Sequence, residues 1–252
     1  MSQPSDAKPS VSPAEGATAL VPQSAPQSAP QPAPQPAPQS AGHQPPPYVR
    51  RLSLYLRQLE HLAETGQSRI NSRQLGDLLG LTDGQVRKDL AHFGQFGHPG
   101  IGYRVAELSR QIRHILGIDR PWNVILVGAG NLGKALASHK GFEGRNMHLL
   151  AVLDADQTRV GEELAGLKIE SMGELTSVVK RTSAQLAIVA VPASAAQGVA
   201  DALITAGVRS ILNFAPRLLS VPPGILVNNV DLAQQLEQLA FQTHFADESS
   251  KD

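Results

Sequence analysis

The chain has 252 residues, 41% of them hydrophobic, and its 22 Lys+Arg balance 22 Asp+Glu. Zero cysteines exclude disulfides, thiolate zinc sites and iron–sulfur ligation. No basic start with an apolar core marks a signal peptide, and no window reaches the ~18 consecutive apolar residues of a membrane span, so the expectation is a cytoplasmic protein with no metal site and no membrane contact.

The zero net charge is a cancellation. Residues 48–118 carry ten Lys+Arg against six Asp+Glu, and residues 121–252 carry ten against thirteen. A basic front half on an acidic back half predicts two domains with different partners. Ahead of both, residues 1–47 hold 13 of the 19 prolines, including "VPQSAPQSAPQPAPQPAPQS". So few apolar anchors predict a disordered, partly polyproline-II tail.

In residues 48–118, Leu52, Tyr55, Leu56, Leu59 and Leu62 make one apolar stripe on a first helix that ends at Gly66. In "NSRQLGDLLG", Asn71 and Gln74 predict a capping box, Leu75, Leu78 and Leu79 an inward face, and Gly80 a stop. In "TDGQVRKDLAHF", Thr82 and Gln85 predict a second capping box, and Val86, Leu90 and Phe93 face the core. That register leaves Gln85, Arg87, Lys88, Ala91 and His92 outside. Two short helices in tight succession, the second with a basic outer face, read as a helix-turn-helix. Arginine takes two acceptors on a guanine edge, lysine neutralises phosphate, and Ala91 permits close approach. Arg51 joins these as a candidate DNA contact. The glycines around His98 and Pro99 predict a β-hairpin wing before the helix in "VAELSRQIRHIL".

After Pro121 the apolar runs "VILV", "LLAVL", "LAIVAV" and "SILNF" alternate with amphipathic stretches at 131–138, 173–181 and 194–206. This predicts a doubly wound parallel sheet with both faces covered. The first run leads into "GAGNLG", so Gly128, Ala129, Gly130, Asn131, Leu132 and Gly133 form a dinucleotide fingerprint between strand and helix. Asp154 closes the second strand, where a carboxylate holds ribose hydroxyls and repels a 2′-phosphate, which favours NAD(H) over NADP(H). Arg159 stands nearby. "VPAS" at 191–194 and "NFAP" at 213–216 lie at later strand ends, making Val191, Pro192 and Asn213 candidates beside the nucleotide. Candidate acid–base groups are sparse, namely His139, His148, Lys134 and Arg217, and no span remains for a substrate domain. The last segment is one apolar-striped helix through Leu232, Leu236, Leu239, Ala240 and Phe245 with an acidic end.

The motifs "RRLSLYLRQLE", "SRQLGDLLGLTDGQVRKDLAHFGQFG", "GIGYRV", "VILVGAGNLGKAL", "VLDAD", "VPASAAQ", "ILNFAP" and "NNVDLA", in this order over residues 47–246, resemble the redox-sensing transcriptional repressor Rex family. The resemblance implies a winged-helix domain at 48–118, a Rossmann-like domain at 121–230, a domain-swapped dimerisation helix at 231–246 and a flexible end at 247–252. It further implies a homodimer that binds a palindromic operator when NADH is low. NADH is then the releasing effector and NAD+ a competing ligand. Arg57 and Asp231 match the family's coupling arginine and aspartate, and Leu232 an apolar residue that enters the partner near the nicotinamide. Three positions depart from the family: His139 replaces its coupling tyrosine, "HPG" replaces a basic wing tip, so that His98 offers one fewer phosphate contact, and His92 stands where tyrosine is frequent. The alternatives are an NAD-dependent dehydrogenase with a helical appendage, and a winged-helix regulator sensing another nucleotide such as coenzyme A or NADPH.

Overall fold

The computed structural model describes residues 46–97 and 101–249. Most of the proline-rich tail and His98 lie outside them.

Helix α1 (Pro47–Glu64) begins with proline in its first turn, where the missing N–H is no loss. Leu52, Tyr55, Leu56, Leu59 and Leu62 are all buried, as their spacing predicts. After strand β1 (Arg69–Ile70), helix α2 (Ser72–Leu79) opens with both bonds of the predicted capping box. The Gln74 backbone N–H donates to Asn71 Oδ1 at 2.8 Å, and the Asn71 backbone N–H to Gln74 Oε1 at 3.0 Å. Gly80 closes the helix at φ 66°, the left-handed conformation its position calls for. Leu75 is buried and Leu79 packs against the core, but Leu78 is 51% exposed: an eight-residue helix lying on α1 and α3 hides one edge, not the whole run.

Helix α3 (Asp83–Ala91) is capped by Thr82, whose hydroxyl accepts from the Gln85 backbone N–H. The reciprocal half of this second capping box is replaced, because the Gln85 amide donates to Asp89 instead. The turn between α2 and α3 is tight enough that a Cβ on the buried Gly76 would lie 2.5 Å from the Leu81 carbonyl oxygen.

The tip of the predicted hairpin, residues 98–100, lies outside the described residues. No strand forms in residues 93–97; strand β2 (Tyr103–Arg104) pairs antiparallel with β1, Ile70 opposite Tyr103. Gly94 and Gly97 at φ 135° and 80° interrupt an extended ladder, whereas β1 offers a free edge. Helix α4 (Val105–Ile115) follows at once and buries Val105, Leu108 and Ile112 beside α1.

The second half is a seven-stranded sheet. Its elements are β3 (Trp122–Val127), α5 (Asn131–Ala137), β4 (Met147–Asp154), β5 (Glu163–Leu164), β6 (Leu167–Ser171), α6 (Leu175–Thr182), β7 (Leu186–Val189), α7 (Ala193–Ala206), β8 (Ser210–Asn213) and β9 (Leu226–Asn229). The strand order is β5-β6-β4-β3-β7-β8-β9, with β5 alone antiparallel. Numbered along the chain, the six parallel strands read 3-2-1-4-5-6, the dinucleotide-fold order, which reverses between β3 and β7. Alternate residues of β3 face opposite sides: Ile125 and Val127 meet the layer of α6 and α7, and Val124 and Leu126 the layer of α5. Strands β5, β6 and β9 add to the four that the apolar runs predict. Helix α8 (Leu232–Ser249) ends the described chain and runs past the expected limit at 246.

Candidate functional site

The fingerprint loop sits at the strand-order reversal, and its three glycines answer to different neighbours. Gly128 has φ 102°, and a Cβ there would lie 2.3 Å from the Ala190 carbonyl oxygen just past β7. A Cβ on Gly133 would lie 1.8 Å from the Gly128 carbonyl oxygen, so hydrogen is required where α5 crosses the strand. Gly130 is the exception: the nearest atom to its Cβ would be Arg159 Nη1 at 3.9 Å. Bareness at Gly130 therefore serves no packing need and leaves room beside the backbone. That fits a pyrophosphate approaching the loop, with Asn131 and Leu132 exposed at its rim.

Asp154 ends β4 beside this loop. Its Oδ2 accepts the Ala129 backbone N–H at 2.6 Å and Arg159 Nη1 at 3.3 Å, and Oδ1 accepts the Asp156 backbone N–H at 2.8 Å. Burial pushes the carboxyl pKa up, but the two backbone N–H groups and the Arg159 guanidinium outweigh it and hold the group below its ordinary value. An ionised carboxylate has about four acceptor positions; three are used, which leaves one for a ribose hydroxyl. Arg159 also reaches Asp156 at 3.5 Å and so stands between two carboxylates.

Val191 borders Gly128, and Pro192 caps α7 at the same sheet end. Asn213 is fully buried, and its amide is committed inside the protein. It donates to the carbonyls of Arg217 and Ala215 and to Asn229 Oδ1, and accepts the Ala215 backbone N–H. Its expected place against a ligand becomes one behind the 214–217 loop.

Arg87, Lys88 and Ala91 on α3 and His92 just past its end are exposed, as the helical register requires, whereas Gln85, expected to face outward with them, is half-buried. Arg87 donates to Asp83 at 2.6 Å and to Ser72 Oγ at 3.2 Å. The His92 ring lies tilted by 42° against Tyr48, with ring centroids 4.4 Å apart. Arg51 departs from its expected role. Its guanidinium grips Asp89 through Nε at 2.5 Å and Nη2 at 2.8 Å, and so ties α1 to α3 rather than facing outward. Asp89 is 3% exposed and also accepts from Tyr55 Oη and Gln85 Nε2, each at 2.7 Å. Burial raises the Asp89 pKa, but the hydrogen bonds from Arg51, Tyr55 and Gln85 and the Arg51 charge hold it below the usual carboxylate value. Burial, then the bond to Asp89, pushes the Tyr55 phenol well up. Sequence reasoning missed Asp89, although an acid at the buried register of Val86 and Leu90 signals a partner.

Arg57 and His139 are exposed, with His139 edge-on to Phe142 at 5.0 Å, and Asp231 caps α8 by accepting the Ala233 and Gln234 backbone N–H groups. Among the described residues no hydrogen bond or ion pair joins these three within the chain. A different ionic joint links the two halves. Glu60 of α1 takes Arg113 of α4 at 2.5 Å and Arg145, in the turn before β4, at 2.9 Å, and Arg113 also donates to the Gly144 carbonyl at 3.2 Å. No local spacing announces a contact so distant in sequence.

Comparison with known proteins bears on both regions. Residues 45–91 match the family described as putative DNA-binding protein N-terminus, and residues 119–217 the family described as CoA binding domain. The Redox-sensing transcriptional repressor Rex of Syntrophomonas wolfei subsp. wolfei is 44% identical over 197 residues, 78% of this chain and 94% of the relative. That of Rhodopirellula baltica is 43% identical over 196 residues, 78% of this chain and 83% of the relative. A crystal structure of RSP in complex with beta-NAD+ and operator DNA superposes with TM-score 0.77 at 34% identity, covering 81% of this chain and 94% of that one. RSP in complex with beta-NADH gives TM-score 0.73 at 33% identity, covering 81% and 96%. With identity of this order over nearly the whole length of its relatives, the chain belongs to the redox-sensing transcriptional repressor Rex family.

Proposed function

We propose that this chain is a cytoplasmic, homodimeric repressor that binds a palindromic operator when NADH is low and leaves it when NADH is bound, with NAD+ competing for the same pocket. The observation that carries the reading is the union in one chain of an exposed basic recognition helix and a glycine loop with free space at Gly130 beside an ionised Asp154. The relatives it matches along most of their length are repressors, which supports a regulator rather than an enzyme.

In this reading the loop from Gly128 to Gly133 faces the pyrophosphate, Asp154 takes a ribose hydroxyl and disfavours a 2′-phosphate, and Val191 and Pro192 border the nicotinamide side. Arg87, Lys88, Ala91, His92 and the wing residue His98 face DNA. Helix α8 crosses to the second subunit. Its five exposed large apolar side chains, Leu232, Leu236, Leu239, Phe241 and Phe245, favour burial in a partner over contact with water. Leu232 then makes the partner's nicotinamide pocket apolar, and desolvation disfavours the charged ring of NAD+ relative to neutral NADH. Arg57, His139 and Asp231 meet across the dimer, where the imidazole takes the place of a phenol.

The test is fluorescence anisotropy on a palindromic operator with NADH, NAD+, NADPH or coenzyme A added. Release by NADH alone is expected. The match of residues 119–217 to the CoA binding domain family favours a second reading, a regulator of the same build that senses coenzyme A; release by coenzyme A in that assay would establish it.

A further inference from the structure

The α3 helix carries a device that its exposed surface does not reveal. Asp89 accepts four hydrogen bonds: Arg51 Nε and Tyr55 Oη reach one oxygen, and Arg51 Nη2 and Gln85 Nε2 reach the other. An ionised carboxylate can only accept. The Gln85 amide therefore turns its NH₂ edge to Asp89 and its oxygen away. Among the described residues the one buried side-chain polar atom without a partner is Ser109 Oγ. Gln85 is half-buried, and its Oε1 has no donor among the described residues. Gln85 is the third residue of α3, after Asp83 and Gly84, and the first turn of a docked recognition helix is the part that meets base edges.

We propose that Asp89 is a positioning residue that locks Gln85 as a hydrogen-bond acceptor toward the operator, so that Gln85 Oε1 reads an exocyclic amino group, adenine N6 or cytosine N4, in the major groove. A free glutamine can flip its amide and present a donor to guanine or thymine, whose carbonyl oxygens only accept. The flip is closed here, because it would set Gln85 Oε1 against the Asp89 carboxylate. At the base pair that Gln85 meets, guanine and thymine are therefore rejected by a repulsive contact as well as by a lost bond. Arg51 serves the same end indirectly: its two bonds hold Asp89 in place and charged. This inference rests on the operator-binding reading above.

The experiment uses the full chain. A preferred duplex is selected from a randomised pool, and each adenine or cytosine of one half-site is then replaced in turn by the analogue lacking its amino group. Wild type is expected to lose about ten-fold in affinity at one such position. Gln85→Ala, shown to be folded by its melting temperature and by NADH binding to the free protein, is expected to be indifferent there. Asp89→Asn, which can offer a carbonyl to the amide or turn its own NH₂ toward it, is expected to relax the rejection of guanine at that pair. Because Asp89→Asn weakens the fold, the decisive variant is Gln85→Ala. Equal sensitivity of wild type and Gln85→Ala at every position overturns the inference while the operator reading stands. Failure of wild type to retain any duplex overturns the operator reading and this inference with it.

Discussion

Two buried carboxylates, Asp89 and Asp154, show how the same side chain is kept charged by different means. At Asp154 the donors are backbone N–H groups and one guanidinium; at Asp89 they are three side chains, two of them from α1. Both folded-state pKa values lie below the ordinary aspartate value of about 3.9. Their contribution to stability is therefore full above that value and is lost as pH falls through the lowered folded value. Asp89→Asn should lower stability at pH 7 by about 3 kcal/mol, since Arg51 is left half-buried against a neutral amide. The variant should also lose less further stability than wild type between pH 5 and pH 3, which urea titrations at fixed pH would measure. The glycines allow a cleaner separation of fold from ligand. Gly133→Ala forces its Cβ onto the Gly128 carbonyl and should unfold the loop, whereas the Cβ of Gly130→Ala meets only Arg159 Nη1, at an ordinary contact distance of 3.9 Å. Gly130→Ala should keep the melting temperature of the free protein but weaken NADH binding at least ten-fold by calorimetry, because the methyl fills the approach to the pyrophosphate.

At the scale of elements, what was legible follows from periodicity. The stripe of α1, the Asn71–Gln74 box, the Gly80 stop and the four apolar runs of the sheet each carry a local signal several residues long. Strands β1, β2 and β5 have two residues apiece, too few to show alternation, and β2 pairs with β1 across the whole of α2 and α3. The strand at Tyr103–Arg104 pairs with a partner distant in sequence, which no local signal announces. The joint of Glu60, Arg113 and Arg145 belongs to this scale as well, because each side chain comes from a different element. These groups are roughly a quarter to a third exposed, so removing the centre should cost only about 1 kcal/mol. The expected signature of Glu60→Ala is local: faster amide hydrogen exchange in residues 113–119, where α4 leads into the sheet, with exchange in β3 and β4 unchanged.

For the whole molecule, the exposed apolar face of α8 and the cancelling charge of the two halves set the remaining expectations. Leu236→Asp with Leu239→Asp should shift sedimentation to a monomer and remove operator binding, while NADH binding survives in weakened form. Residue order alone was enough for the helical stripes and caps, the parallel sheet, the glycine loop with its acid and the basic outer face of α3, because each depends on residues close together in the chain or on burial period. Packing in three dimensions chose which charged and polar groups are spent inside the protein. Arg51 went to Asp89, the Asn213 amide went to its own loop, and Gln85 was turned by a carboxylate one helical turn away. The physical reason is that a hydrogen bond depends on distance and direction in space, and burial leaves a carboxylate or amide no water to fall back on. Such groups must find partners wherever packing brings them, and no spacing along the chain records that choice.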